Sequence, residues 1–168
     1  MAKRGLTVDE IMAILPETPR QIEALTADLT PTELRAEPVP DAWSINDVLA
    51  HLRACHDVLG GSVLRIIVED TPRWRRLSPR AWIRKTDYPE WEFAPAITAF
   101  KEQRDALLTV LEPLPREGWT RSAIVTERSG EVEARTVRYY ADWLADHERE
   151  HWSHIEGIVA AVRGGVTG

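Results

Sequence analysis

The stretch Asp146-His147-Glu148-Arg149-Glu150-His151-Trp152-Ser153-His154-Ile155 decides the fold, and it holds three of the five histidines of the chain. A helix turns about 100° per residue, so residues three and four apart share a face. On a helix over about 136–163, the face within about 40° of His147 is apolar, aromatic and rich in imidazole. Its other members are Tyr140, Trp143, His151, His154 and Ile158. The charged residues are predicted to form an outer face: Glu148, Arg149, Glu150 and Glu156.

Imidazole rings that face a core need a reason, because burying a polar ring without a partner costs free energy. A single histidine on an apolar face is more often a hydrogen-bonded core residue than a metal ligand. Two histidines at positions i and i+4 on one helix of a bundle reverse that preference, since the spacing suits joint metal ligation. His147 and His151 are therefore the first candidate ligand pair.

Length and composition indicate a single soluble domain over residues 1–168. Apolar residues make up 43% of the chain and charged residues 29%, as in ordinary globular proteins. The net charge of -6 argues against nucleic-acid binding. The segment from Arg73 to Lys85 is locally basic, but prolines and a tryptophan interrupt it. It is predicted to be a solvated loop.

Cys55 is the one cysteine, so no disulfide forms within the chain and a reducing compartment is expected. Its thiol is interpreted as a small buried side chain rather than a nucleophile. The start Met1-Ala2-Lys3-Arg4-Gly5 is not followed by the apolar core of a signal peptide, and no run reaches transmembrane length. The sequence predicts a cytoplasmic protein with no membrane partner.

Start signals predict a first helix near the N-terminus. Thr18-Pro19-Arg20-Gln21 offers an N-cap hydroxyl, a proline at the first helical position and a glutamine at the third, which predicts helix one over about 19–29. Residues 8–15 are expected to form a separate short helix that Pro16 ends.

Two further helices follow in the middle of the chain. Ser44-Ile45-Asn46-Asp47 has the layout of a capping box and begins helix two, over about 45–69, with Gly60-Gly61 as a weak point. An apolar stripe predicts helix three over about 94–112. The link 72–91 has the length of a crossover connection, and 119–135 is predicted to be irregular with a small hairpin.

Four helices with long links after two of them indicate an all-α fold, a four-helix bundle with long crossover connections. Helix two brings two further histidines. His51 lies on the flank of its apolar stripe and His56 lies nearer the middle. Periodicity does not choose between them as a partner for the histidines of helix four.

One alternative is a zinc peptidase, because His147-Glu148-Arg149-Glu150-His151 is a literal H-E-x-x-H motif in which the glutamate is the general base. The longer form of the motif fails, since His154 and Gly157 stand where glycine and a third histidine belong. No edge strand is predicted to hold a peptide. This interpretation is the weaker one.

A second stretch, Trp43-Ser44-Ile45-Asn46-Asp47-Val48-Leu49-Ala50-His51-Leu52, together with His147-x-x-x-His151-x-x-His154-Ile155, resembles the DinB-like superfamily of bacterial four-helix-bundle proteins. The resemblance continues through Leu29-Thr30-Pro31-Thr32-Glu33-Leu34 and Gly118-Trp119, so it covers most of the chain. It implies a bundle in which one histidine of helix two and two of helix four hold a divalent ion. On the matching positions these are His51, His147 and His151.

The same resemblance suggests residues that line a pocket beside the ion. His154 stands where family members often have glutamine and is assigned to the pocket wall. His56 comes one helical turn beyond His51 and is a further candidate. The remaining candidates are Trp43, Tyr140 and Trp143, and these three and His154 are each equally well interpreted as ordinary core residues.

The resemblance also implies an activity. Three neutral imidazoles leave coordination positions open, which is the layout of a catalytic metal site. Zinc or nickel is the favoured ion, with iron or manganese as alternatives. The family is similar to metal-dependent thiol transferases and includes proteins described as hydrolases, so the expected substrate is a small molecule, with a low-molecular-weight thiol as co-substrate. A homodimer is also implied. The alternative from another class is a non-catalytic protein that sequesters a small molecule or metal.

Overall fold

Four long helical segments pack as a bundle in the computed structural model, which describes residues 4–165. They are α1 (Val8–Thr26), α3 with α4 (Ile45–Cys55 and Gly61–Val68), α6 (Phe93–Leu111) and α8 (Val137–Gly164). Helices α1 and α3 each contact both α6 and α8. Met1 to Lys3, part of the start considered for a signal peptide, lie outside the described residues. Within the described part, every helix is too short or too polar to span a bilayer.

Helix α1 differs from the prediction, which placed a short helix before Pro16 and helix one over 19–29. The structure has one continuous helix, Val8–Thr26, that contains both Pro16 and Pro19. Thr7 caps it with a reciprocal capping box to Glu10. Proline has no N–H, so Pro19 leaves the carbonyl of Leu15 without its helical donor. That carbonyl accepts a 2.6 Å hydrogen bond from Arg104 Nη1, which helps the helix to continue through the proline.

Helix two was predicted over about 45–69 with Gly60-Gly61 as a weak point, and the structure has a π-helical turn at His56–Gly60, between α3 and α4. The capping box at its start is present: Ser44 Oγ accepts from the Asp47 amide at 3.2 Å, and Asp47 accepts from the Ser44 amide at 2.9 Å. A side-chain carbon added at Gly60 would lie 3.2 Å from His56 Nε2. Glycine thus allows the His56 ring to pack closely against the wide turn.

A small sheet corrects the all-α prediction. The 72–91 link contains β1 (Arg73–Arg75) and a short helix, α5 (Pro79–Ile83). A hairpin of β2 (Ser122–Thr126) and β3 (Val132–Thr136) precedes α8, and β1 pairs parallel to β2. The described residues also form the short helices α2 (Pro31–Leu34) and α7 (Arg116–Trp119) and a 3₁₀ turn at Tyr88–Glu90. The first strand has only three residues, too few to show a period-two pattern.

Asp57, in the π-helical turn, fastens the crossover link to the bundle. Its carboxylate accepts hydrogen bonds from Trp82 Nε1 at 2.8 Å, from the Tyr88 hydroxyl at 2.7 Å and from Gln103 Nε2 at 2.5 Å. Two of these donors belong to the link and the third to α6. The link, and α5 within it, is therefore held against one side of the bundle.

Candidate metal centre

Three histidines from two helices converge beside a cavity whose wall includes residues of α5. Helix α3 supplies His51, and α8 supplies His147 and His151. The His147 Nε2 atom lies 3.0 Å from His51 Nε2 and 3.1 Å from His151 Nε2. One ring nitrogen from each residue lies within 4.8 Å of the others. The structure thus brings together the three residues that the family resemblance proposed as ligands.

Burial sets the charge state of these rings. It lowers the pKa of His51 to about 4, with further contributions from His147 and Arg80. It lowers the pKa of His151 to about 3, again with neighbouring histidines adding to the effect. The pKa of His147 is also lowered by burial, although nearby carboxylates act against the shift. All three rings are neutral at pH 7, so each offers a lone pair.

The arrangement fits a shared cation better than a hydrogen-bonded cluster. A neutral imidazole has one donor nitrogen and one acceptor nitrogen, and His147 Nε2 cannot satisfy two Nε2 neighbours with a single proton or a single lone pair. Imidazole nitrogens converging on one point are a donor set suited to zinc, nickel or iron.

Two tryptophans frame the three histidines. The Trp43 ring lies 5.1 Å from the His51 ring and stacks on His151 at 6.1 Å with 11° between the planes. The Trp143 ring stacks on His147 at 5.5 Å with 14° between the planes. These contacts restrict the rotation of the imidazoles and fill the space beside them.

The other proposed pocket residues lie in different places. His154 is exposed, with its ring 6.0 Å from the His151 ring and 6.3 Å from the Trp43 ring, so it lies at the rim. Tyr140 is buried and lines a neighbouring cavity. His56 is buried beside Arg104 and Phe100, and it does not line the cavity that holds the three histidines.

Cys55 lies next to His51, with its sulfur 3.4 Å from Nε2. Burial raises the pKa of the thiol to about 12, and the negative charge of Glu148 adds to the effect. The thiol stays protonated at neutral pH. This environment agrees with the interpretation of Cys55 as a buried, unreactive side chain.

Glu148 contradicts the prediction of a charged outer face, because its side chain is fully buried. It forms an ion pair with Arg104, which is also buried, and Arg104 Nη1 donates to its Oε2 at 2.9 Å. Helix α8 packs against both α1 and α3, so more of its circumference is covered than a single apolar stripe suggests. The glutamate of the H-E-x-x-H motif is bound to an arginine inside the protein, which removes the general base that a peptidase needs.

The cavity beside the histidines, here the metal-side cavity, has a volume of about 510 Å³ and a positively charged wall. Its wall contains the arginines Arg76, Arg80, Arg84 and Arg128, and among residues 4–165 no aspartate or glutamate lines it. Residues 73–85 were predicted to form a solvated loop. Their basic side chains are exposed, but the segment also contains β1 and α5, and three of the cavity arginines come from it. The i, i+4 spacing of Arg80 and Arg84, in a chain of net charge -6, was the available signal.

A sequence model of the DinB superfamily matches residues 14–155, a range that includes all three histidines. Among solved structures, the chain is similar to YfiT from Bacillus subtilis, which is described as "a probable metal-dependent hydrolase with an unusual four-helix bundle topology". The sequences are 18% identical, the TM-score is 0.77, and the match covers 98% of this chain and 93% of that one. At this identity the similarity shows the fold alone. No curated protein sequence gives a significant match.

Proposed function

The chain belongs to the DinB superfamily, and on that premise we propose that it is a divalent-metal-dependent enzyme, a thiol transferase or a hydrolase, that acts on a small molecule. The observation that carries the proposal is the convergence of His51, His147 and His151 on one point. The description of YfiT as a probable metal-dependent hydrolase supports the hydrolytic form. The resemblance of the sequence motifs supports the transferase form.

His51, His147 and His151 would hold the ion, and three protein ligands leave room for a substrate atom. A bound divalent ion supplies Lewis acidity, which generates a nucleophile from water or a thiol at neutral pH. The chain itself contributes orientation. Trp43 and Trp143 fix the imidazole rings, and the cavity next to them admits a ligand of small-molecule size.

The alternative is a protein that sequesters a metal or small molecule without turnover. The three converging imidazoles and the cavity of about 510 Å³ beside them suit this version as well, since both can hold a ligand. The two functions differ in one measurable respect: an enzyme releases product and repeats the cycle.

The number of catalytic turnovers distinguishes an enzyme from a sequestering protein. The protein, loaded in turn with zinc, nickel, manganese and iron, is assayed with cysteine plus a chlorinated dinitrobenzene for thiol transfer, and with p-nitrophenyl acetate for hydrolysis. Multiple turnovers above the uncatalysed rate, lost in His51→Ala and His147→Ala and kept in His154→Ala, would support the enzyme. A panel of further electrophiles and esters extends the test. Ligand retention with no turnover on any of them would favour sequestration.

A further inference from the structure

The metal-side cavity is positively charged within an acidic protein. Arg80 lies in α5, and Arg84 follows one helical turn later, directly after the end of that helix. Arg128 lies in the turn between β2 and β3. Arg76 is paired with Glu127 at 3.1 Å, whereas no carboxylate among residues 4–165 pairs with the other three arginines. A cleft lined by one sign of charge focuses the field and concentrates ligands of the opposite sign. The wall therefore favours a negatively charged ligand.

An apolar cavity adjoins it. This cavity, here the aromatic chamber, has a volume of about 430 Å³, and its wall includes Trp74, Trp82, Tyr139 and Tyr140. Its two carboxylates are already bound, Glu127 to Arg76 and Asp57 to three donors. Volumes in this range are typical of sites that bury small organic molecules.

Two residues join the cavities. Arg76 and Trp143 line both of them, and Trp143 stacks on His147 of the histidine cluster. A ligand of moderate size can therefore have its charged group among the arginines and its apolar part in the aromatic chamber, with Trp143, which stacks on His147, in contact with both cavities.

We propose that the two cavities form one binding site for an amphipathic organic anion: its oxyanion group lies against Arg80, Arg84 and Arg128, and its apolar body occupies the aromatic chamber. Guanidinium groups bind carboxylate, phosphate or sulfonate oxygens through charge-assisted hydrogen bonds. As a statement about substrate, this inference rests on the proposed function. As a statement about binding, it stands on the charge and shape of the cavities.

The first experiment separates charge from apolar contact with two fluorescent dyes, anilinonaphthalene sulfonate and the uncharged N-phenyl-naphthylamine. The triple variant Arg80→Gln, Arg84→Gln, Arg128→Gln should bind the sulfonate at least about tenfold more weakly, because it loses charge-assisted hydrogen bonds. It should bind the uncharged dye as the parent does. Arg116→Gln, an exposed arginine on α7 that lines neither cavity, is the matched control and should change neither affinity.

The second experiment fills the aromatic chamber. Gly61 lines it, has ordinary helical dihedrals, and leaves open space within 4 Å of an added side-chain carbon. Gly61→Leu should keep the fold, because leucine is a better helix former than glycine, and should weaken binding of both dyes. Gly157→Leu on α8, also helical and open, makes the same change outside the chamber and should leave both affinities unchanged.

Equal affinity of the sulfonate for the parent and the triple arginine variant would overturn the charged half of the site. Unchanged binding of both dyes to Gly61→Leu would overturn the apolar half. Each titration is run on metal-free and zinc-loaded protein with circular dichroism to verify folding. If the protein binds no metal and turns nothing over, the proposed function fails, while the dye affinities still decide whether this anion site exists.

Discussion

Glu148 and Arg104 form an ion pair in the interior of the bundle, linking α8 to α6, with Arg104 Nη1 donating to Glu148 Oε2 at 2.9 Å. Arg104 Nη1 also donates to the Leu15 carbonyl of α1 at 2.6 Å. Three helices of the bundle therefore meet at one guanidinium group. Glu148 stands directly after His147, so this contact also fixes the rotation of α8 about its axis and with it the direction of the two histidines that α8 supplies.

Removing the Glu148 carboxylate should destabilise the protein severely. Glu148→Ala leaves the buried charge of Arg104 without a counter-ion, which is expected to cost about 3–5 kcal/mol in the free energy of unfolding. Urea denaturation measures the loss. Arg149→Ala breaks an exposed pair with Asp146 on the same helix and should cost less than about 1 kcal/mol.

A second variant tests whether the cost comes from the unpaired charge. Replacing both residues, Arg104→Leu with Glu148→Leu, should recover part of the stability, since no buried charge remains, although the Leu15 carbonyl loses its donor. If the double variant is as unstable as Glu148→Ala, the loss comes from packing of the bundle and this explanation is wrong.

Asp57 should control the attachment of the crossover link that carries Arg80 and Arg84. Asp57→Ala removes the acceptor of three hydrogen bonds, with an expected loss of about 2–4 kcal/mol. Hydrogen exchange should increase most in residues 79–91. Asp105→Ala, at an exposed position on α6, is the control. Uniform acceleration across the whole chain, with no excess in the link, would contradict the role of Asp57 as its anchor.

His56 should make the folded state sensitive to acid. Burial, with a contribution from Arg104, lowers the pKa of its imidazole from 6.5 to about 3. In the unfolded chain this imidazole binds a proton below about pH 6.5, whereas in the folded chain it binds one only below about pH 3. The free energy of unfolding therefore falls as pH falls through that window, by up to about 1.4 kcal/mol per pH unit.

The variant His56→Asn keeps a polar group near Arg104 and cannot take up this proton. Its free energy of unfolding is measured from about pH 6 to pH 4 in the same metal state as the parent. It should fall less steeply with falling pH than that of the parent, because unfolding of the variant takes up about one proton fewer. Parallel profiles for parent and variant would show that His56 does not contribute to the acid sensitivity.

The helices of the bundle were predictable because their signals are local. Ser44 and Asp47 form the expected capping box, and the apolar periodicity of α6 and α8 marks their extent to within a residue or two. The extension of α1 through Pro16 and Pro19 was not predictable, since part of the reason is a hydrogen bond to the Leu15 carbonyl from Arg104, which lies 89 residues further along the chain.

In the candidate site, too, the features with a local sequence pattern were predictable and those that depend on distant contacts were not. The i, i+4 pair of His147 and His151 is visible in one helix, but the partner on helix two is not, because His51 lies on the flank of its apolar stripe. Family resemblance proposed His51, and the structure places its ring nitrogen 3.0 Å from that of His147. The arginines of the metal-side cavity were missed because their role depends on Asp57 holding the link against the bundle. No local pattern in the sequence carries that contact.

The most direct test of the account is the metal content of untagged protein purified without added metal, determined by mass spectrometry. The parent should hold close to one divalent ion per chain, and His51→Ala, His147→Ala and His151→Ala should each lose most of it. His154→Ala, which removes an exposed histidine from the same helix, should retain it. If the parent stays metal-free after incubation with zinc, nickel, iron and manganese at neutral pH, where the three rings are neutral, the metal-dependent function is contradicted.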